Sequence, residues 1–557
     1  MASITYDGQS FLIDGRRIWL VGGTINATLV PREHWAARIH QAKQAGLNTI
    51  TTAVHWARHE SRPGQFDFAG DADLRHFVTL VGQAGMYCVL RLGPFVGAGL
   101  DLGGLPPWLQ QQKDVALRTS SAPYLEAASR FFGAVARQVR DLQVSAPSGA
   151  AGGPILLVQN ESGWTCGHDG LATAYLGELN RYIRESGFEV PILNGNDLWS
   201  GVEGEIDTWT GSGELMPNLR QLATVRPLQP RIVSSLRVGR ASVFGRAGGA
   251  AMSGEELQRT LGEVLAAGGQ YNIEPFFAGT HHGFWAGREP GPEGGWLTPG
   301  AVDGAPIDEA GRATELLGPL RRVSLFASRF ARVLSAMEHR RFQVALRPAT
   351  VARGRGHSVV HASGGQGSVA YVFGAPTPAR SRQAEQPASL LLSDGTELPV
   401  YLGANPVAWC LLDVRLVGRS HLDYSNLSAI ALVGRVLVVA GPAATPARLS
   451  INGAPLELDV PEGAAPLVVD HEGVVVVVCA DEQLARVQVA DDAVYLNAVG
   501  LTPAGVPIVA GKDESCTRIS DQGVRSELTP ASGARPGGAR AGPLGGARVG
   551  RAGVGGV

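Results

Sequence analysis

The sequence is short of most features that narrow function at a glance. Its 557 residues carry 48 lysines and arginines against 50 aspartates and glutamates. That balance leaves no basic field for nucleic acid or a membrane surface, and no acidic field for a cationic partner. Cysteine is scarce: Cys88, Cys166, Cys410, Cys479 and Cys516 are far apart and odd in number, which fits a reduced compartment better than a disulfide framework. Cys166 and His168 have no second pair at ligand spacing beside them, so no metal site and no other cofactor is expected. No run is long and apolar enough to span a bilayer, and the opening Met1-Ala-Ser-Ile-Thr-Tyr-Asp-Gly lacks the basic and apolar parts of an export signal. A soluble, cytoplasmic protein is the expectation. There is no internal repeat. Residues 531–557 are nearly all Gly, Ala, Arg, Pro and Val; they cannot bury a core, and without interleaved aromatics they do not read as a nucleic-acid tail.

What is present is an alternation of strands and helices. Runs at 4–6 and 11–13, punctuated by Asp7-Gly8 and Asp14-Gly15, have hairpin chemistry. Eight strands follow at 18–23, 48–54, 87–92, 155–159, 190–194, 206–210, 231–236 and 271–277. Helical spacing appears at 32–45, 73–84, 124–142, 173–186 and 255–267, with a closing helix at 310–337. This count predicts an α/β chain folded as a TIM (β/α)8 barrel. From 342 onward short β-rich runs separated by Gly, Pro, Asn and Asp, such as Asp394-Gly395 and Asn452-Gly453, predict a C-terminal all-β sandwich. The expected division is 1–340 for the barrel, 341–502 for the all-β part and 503–557 for a disordered tail.

Function is argued from strand tips, because a parallel barrel gathers its reactive side chains at the C-terminal ends of its strands. The apolar run 155–158 stops abruptly in Gln159-Asn160-Glu161, making Glu161 the first candidate for a catalytic group. Trp164 supplies an apolar wall for it, a stacking face for a sugar, or structural packing alone. Asn194, Asn196 and Trp209 at other tips offer the hydroxyl partners and flat faces a sugar site needs, whereas His55 and Trp56 read as packing. His281-His282 lies in a Gly-flanked loop, either as a partner for hydroxyls or simply as loop.

Four stretches together resemble the family 35 glycoside hydrolases, mostly β-galactosidases. They are Phe11-Leu-Ile-Asp-Gly with Val30-Pro-Arg-Glu-His-Trp35; Gly46-Leu-Asn-Thr with His59-Glu60 and Pro63-Gly-Gln-Phe-Asp-Phe68; Leu90-Arg-Leu-Gly-Pro-Phe95 with Gly103-Gly-Leu-Pro-Pro-Trp-Leu109; and Gly153-Pro-Ile with Gln159-Asn-Glu161. Asn272, Gly279-Thr280 and Gly283 look like that family's eighth-strand motif, and Leu422-Asp-Tyr-Ser-Asn-Leu427 looks like part of its accessory β domains. The resemblance implies a carbohydrate substrate and a retaining two-carboxylate mechanism. Glu161 would be the acid/base, and Asn160 beside it, with Asn26, Phe95 and Ser235, would stand at sugar-contact positions. The acid protonates the departing oxygen while a second carboxylate, about 5 Å away, attacks the anomeric carbon.

The chain departs from that pattern where the second carboxylate belongs. The seventh strand reads Val233-Ser-Ser-Leu-Arg-Val-Gly239, so the glutamate position falls on Ser235 or Leu236, and neither supplies a carboxylate. Other sugar-contact positions read Asn26-Ala27, Ala53 and Gly97-Ala98-Gly99. The eighth strand offers a substitute: Asn272-Ile273-Glu274 puts an acid where the family has a tyrosine. Glu161 and Glu274 are therefore the expected pair, with Glu274 as nucleophile, or as base for a water if the gap is nearer roughly 6.5 to 9.5 Å. Its competing role is an ion pair with Arg237 or Arg240. Three functions follow: a β-galactosidase-like hydrolase, a hydrolase of another sugar or of inverting stereochemistry, and a barrel that only binds carbohydrate. Oligomeric state is not legible.

Overall fold

The computed structural model describes residues 3–528 apart from 147–151, 166–167, 199–200, 247–251, 290–293, 339–343, 348–356, 375–386 and 512–513. Its first half is a closed ring of parallel strands: β1 (Val21–Thr24), β2 (Thr49–Ala53), β3 (Tyr87–Gly93), β4 (Ile155–Asn160), β5 (Ile192–Asn194), β6 (Glu205–Asp207, resuming at Trp209–Thr210), β7 (Ile232–Arg237) and β8 (Gln270–Glu274). Neighbours pair in parallel from β1 to β6 and again from β6 through β7 and β8 back to β1, which closes the barrel. Strands such as β4 are buried along their whole length, because side chains on one face fill the barrel and those on the other meet the helices. The eight expected strands are these eight.

The helical layer comprises α1 (Trp35–Gln44), α2 (Leu74–Gln83), α3 (Ala122–Val139), α4 (Asp169–Glu185), α5 (Leu215–Val225), α6 (Gly254–Ala266) and α7 (Leu317–Arg329). Their ends follow local chemistry. Asp73 caps α2 by accepting from His76 N, and Gly46, with φ +83 after α1, lets the chain pass where a Cβ would meet Leu325 N at 2.6 Å. Two expectations change. The closing helix does not span 310–337: it starts at Leu317, with Pro319 in a first turn that needs no N–H from it, and breaks at Phe330 before a short turn at Ala331–Leu334. The run 18–23 also divides, since Arg16–Ile18 pairs antiparallel with Phe11–Ile13 and only Val21–Thr24 joins the barrel.

Beyond the barrel the chain is rich in strands. A ten-stranded sheet built on Gly367–Phe373, Val407–Arg415, His421–Val433 and Val436–Gly441 faces a second sheet of Ala345–Arg347, Ala388–Leu391 and Glu397–Val400. Buried Ala370, Val372, Leu390, Leu398, Val400 and Cys410 fill the space between, which is sandwich packing. Strands continue past Pro503, at Cys516–Ser520 and Arg525–Leu528, so order does not end at the expected 502; residues 531–557 lie outside the described residues. Among the described residues no helix is long and apolar enough to cross a membrane.

Candidate active site

A polar layer crosses the barrel just below its C-terminal mouth. Glu274, last residue of β8, projects inward and is mostly buried; it accepts from Arg91 Nη2 on β3 at 2.7 Å and from Thr24 Oγ1 on β1 at 2.9 Å. Arg91 Nε also donates to Gln159 Oε1 on β4 at 3.2 Å. Below, Asn272 accepts from Thr51 Oγ1 and donates to Thr24 Oγ1 and Ser234 O. Strand alternation aims all of these at the axis. Glu274 thus enters the barrel as expected, but its ion-pair partner is Arg91 and not Arg237 or Arg240.

The Glu161 side chain stands apart from that layer, although Gln159 Nε2 donates to its backbone carbonyl at 2.9 Å. Its φ of +51° turns the chain off the alternation of β4, and its N–H is held by Gly93 O at 2.9 Å. The carboxyl has no exposed surface. Oε2 accepts from Arg118 Nη2 at 2.9 Å and Ser162 N at 3.0 Å, and Oε1 from the Tyr175 hydroxyl at 2.5 Å. Burial pushes its pKa above the usual carboxylate range, against the pull of Arg118 and Tyr175. Arg118 in turn lies over the Phe95 ring, 3.9 Å from its centroid, and its carbonyl accepts from Trp164 Nε1 at 3.0 Å. Trp164 packs on Tyr175, centroids 5.3 Å apart. The structure therefore gathers Phe95, Trp164 and Glu161 around Arg118, whereas Glu161 and Glu274 share no hydrogen-bond partner.

The remaining candidates divide. Asn160 turns to the helix side of β4, where Nδ2 donates to Glu205 Oε1 at 2.7 Å and Leu176 O at 3.1 Å; inward Gln159 fixes that orientation by alternation. This corrects the expectation that Asn160 faces a sugar. Asn26 and Asn194 tie loops: Asn26 Oδ1 accepts from Ala53 N and Asn194 Oδ1 from Asn196 N. Ser235 and Trp209 are half-buried on β7 and β6, where Thr210 pairs with Ser235. His55 and Trp56 pack as expected, on Trp285 and Phe131.

Two residues at the mouth escape sequence reasoning. Arg118 lies in a loop with no periodicity; the available signal was only that a buried acid needs a cation. Asp197, at φ +57° beyond β5, accepts from Thr210 N at 2.7 Å, and burial raises its pKa. In the sequence it reads as turn chemistry. Among the described residues no group of three or more His, Cys, Asp or Glu is placed to hold a metal ion; Cys166 lies outside them.

An eight-stranded parallel barrel with acids and aromatics at its C-terminal mouth places the chain in the class of TIM barrels. The glycosyl hydrolases family 35 model matches residues 10–326, and the chain belongs to that family. It is similar to human beta-galactosidase-1-like protein 2, 33% identical over 286 residues, which cover 50% of this chain and 44% of that one. Bovine beta-galactosidase is 32% identical over 344 residues, 59% of this chain and 50% of its own, and human beta-galactosidase 32% over 333, 58% and 48%. The chain spans about half the length of the curated relatives it matches.

Proposed function

We infer that the protein hydrolyses a β-linked glycoside, a galactoside in keeping with the names of its relatives, with Glu161 as proton donor and Glu274 as second carboxylate. The observation that carries this is the fully buried Glu161 at the tip of β4, whose raised pKa suits a group that must hold a proton near neutral pH. Glu274, bonded to Arg91 at the mouth, suits a carboxylate that receives the anomeric carbon with retention. Turnover requires Arg118 to swing off Glu161. The unbridged, buried Cys88, Cys410, Cys479 and Cys516 favour a reducing, cytoplasmic setting.

A second reading, carbohydrate binding without turnover, is favoured by one observation: both acids are matched by arginines while β7 ends in Ser235-Leu236-Arg237. Nitrophenyl β-glycosides across a panel of sugars separate the two. Hydrolysis should fall about 10²- to 10⁴-fold in Glu161→Gln on the matching methyl glycoside and less on the nitrophenyl glycoside, whose leaving group needs little protonation, whereas Glu274→Gln should lose turnover on both. Undiminished turnover in Glu274→Gln removes it as second carboxylate. Binding of the same glycosides with no hydrolysis of any selects the second reading.

A further inference from the structure

The loops after β7 and β8 build a small ribbon beside the mouth. Val243 pairs with Leu297, Arg288–Glu289 pairs with Gly295–Trp296, and Phe244 N donates to Trp296 O at 2.8 Å. The ribbon is tied to the loop after β3, where Gly287 N donates to Gly99 O at 3.0 Å and Asp101 N to Trp285 O at 2.8 Å. Trp285 in turn packs edge-on to His55 beyond β2, centroids 4.8 Å apart. It therefore reaches from the β7–β8 side of the mouth to the β2–β3 side, in direct continuity with the loops that hold the candidate site.

This ribbon displays Phe244, Phe284 and Trp296, exposed to 77%, 99% and 65%, and no other Phe or Trp is exposed among the described residues. The guanidinium of Arg288 sits 4.9 Å from the Trp296 ring centroid and fixes the indole, much of which faces solvent. The ribbon that carries Phe244 and Trp296 is itself polar, since Thr298 N donates to Ser242 O and Ser242 Oγ to Asp303 Oδ2, unlike the apolar core that a protein interface buries. Separate flat faces in a polar setting suit pyranose rings, which are apolar above and below and hydroxylated at the edge. A second observation lies beneath. His281 is 4% exposed and neither ring nitrogen has a hydrogen-bond partner, its Nε2 lying 3.2 Å from where a Cβ on Gly99 would stand. Unpartnered buried polar groups are rare, and this one, packed against Gly99 in the loop after β3, leaves a donor or acceptor unspent beside the ribbon.

We propose that the ribbon is a binding platform for the further units of a neutral β-linked oligosaccharide whose terminal sugar occupies the barrel mouth. The platform rests on the carbohydrate reading of the mouth but not on catalysis. Calorimetric titration of the full chain with β-(1→4)-galactotetraose, cellotetraose and mannotetraose, each beside the methyl β-glycoside of its sugar, tests it. At least one tetraose should bind ten-fold or more tighter than its methyl glycoside. Trp296→Ala and Phe244→Ala should each weaken that tetraose five-fold or more, with methyl glycoside affinity and melting temperature unchanged, and Trp296→Phe should keep most of the gain. If no tetraose outbinds its methyl glycoside, or the alanine variants bind it as well as the unmodified chain, the platform is refuted. A chain that binds the tetraose through Trp296 yet hydrolyses nothing supports the platform and sinks the hydrolase reading alone.

Discussion

Glu161 illustrates how opposing effects set one proton. Burial raises its pKa, and the Arg118 and Tyr175 contacts lower it. Tyr175→Phe removes the 2.5 Å hydroxyl donor but keeps the ring against Trp164, so the anion loses support and the pKa rises further. The alkaline limb of kcat/KM against pH should move to higher pH in that variant; a limb that stays or falls means another group titrates there. Glu205 gives a stability counterpart. Burial pushes its pKa from the usual 4.5 to about 7, while Asn160 and Asn180 donate to Oε1 and Oε2 is left without a partner, free to carry the proton. The folded chain binds that proton more tightly than the unfolded one, so its contribution is complete below about pH 4.5 and is lost as pH climbs through about 7. The loss is on the order of 3 kcal/mol. Urea unfolding at about pH 5 and about pH 8 should show the decline in the unmodified chain and a smaller one in Glu205→Gln; equal declines rule Glu205 out as its source.

Elements differ in how openly the sequence announces them. Strands such as β4 are legible because a short apolar run, 155–158, ends in polar residues, and α6 shows as helical spacing at 255–267; its start is fixed by a capping box, with Ser253 Oγ accepting from Glu256 N and Glu256 Oε2 from Ser253 N. Ser253→Ala should therefore lower stability by about 1 kcal/mol, read as a shift of the urea midpoint at constant slope; no shift would mean that packing against α7 alone holds the helix start. Helix α5 escapes because Pro217 looks like a breaker, although it stands in the first turn, where its missing N–H is not needed. Strand β6 is interrupted at Thr208, which leaves the ladder to bond Asn194 O and Ser234 Oγ, a distant pairing that no local pattern encodes. The same limit governs the site. The positions of Glu161 and Glu274 follow from strand tips, but Arg91 and Arg118, which decide how each acid is held, come from 183 and 43 residues away. Only the closed barrel brings them in.

At the scale of the whole molecule, one continuous hydrophobic core runs from the barrel into the strand-rich half, joining Leu320, Val323 and Phe326 of α7 to Tyr371, Trp409 and Ala429. Two arginines of α7 pin this junction. Arg321, its pKa lowered to about 10 by burial, donates to the carbonyls of Gln44, Leu484 and Val487. Arg322 Nη1 meets Asp481 Oδ1 at 2.5 Å, with the two side chains 8% and 18% exposed, and Asp481 Oδ2 accepts from Asn405 Nδ2 at 2.6 Å. A buried pair of this kind adds little net stability over apolar replacements, yet removing one member strands the other's charge. Asp481→Ala should accordingly cost about 3 kcal/mol or more in urea unfolding. Adding Arg322→Met to Asp481→Asn removes the stranded charge and keeps an acceptor for Asn405, so that double variant should stay close to the unmodified chain. If the double variant falls as far as Asp481→Ala, the junction depends on the ion pair itself and not on leaving no charge alone. If Asp481→Ala costs nothing, water reaches Arg322 and the two halves do not share a dry interface.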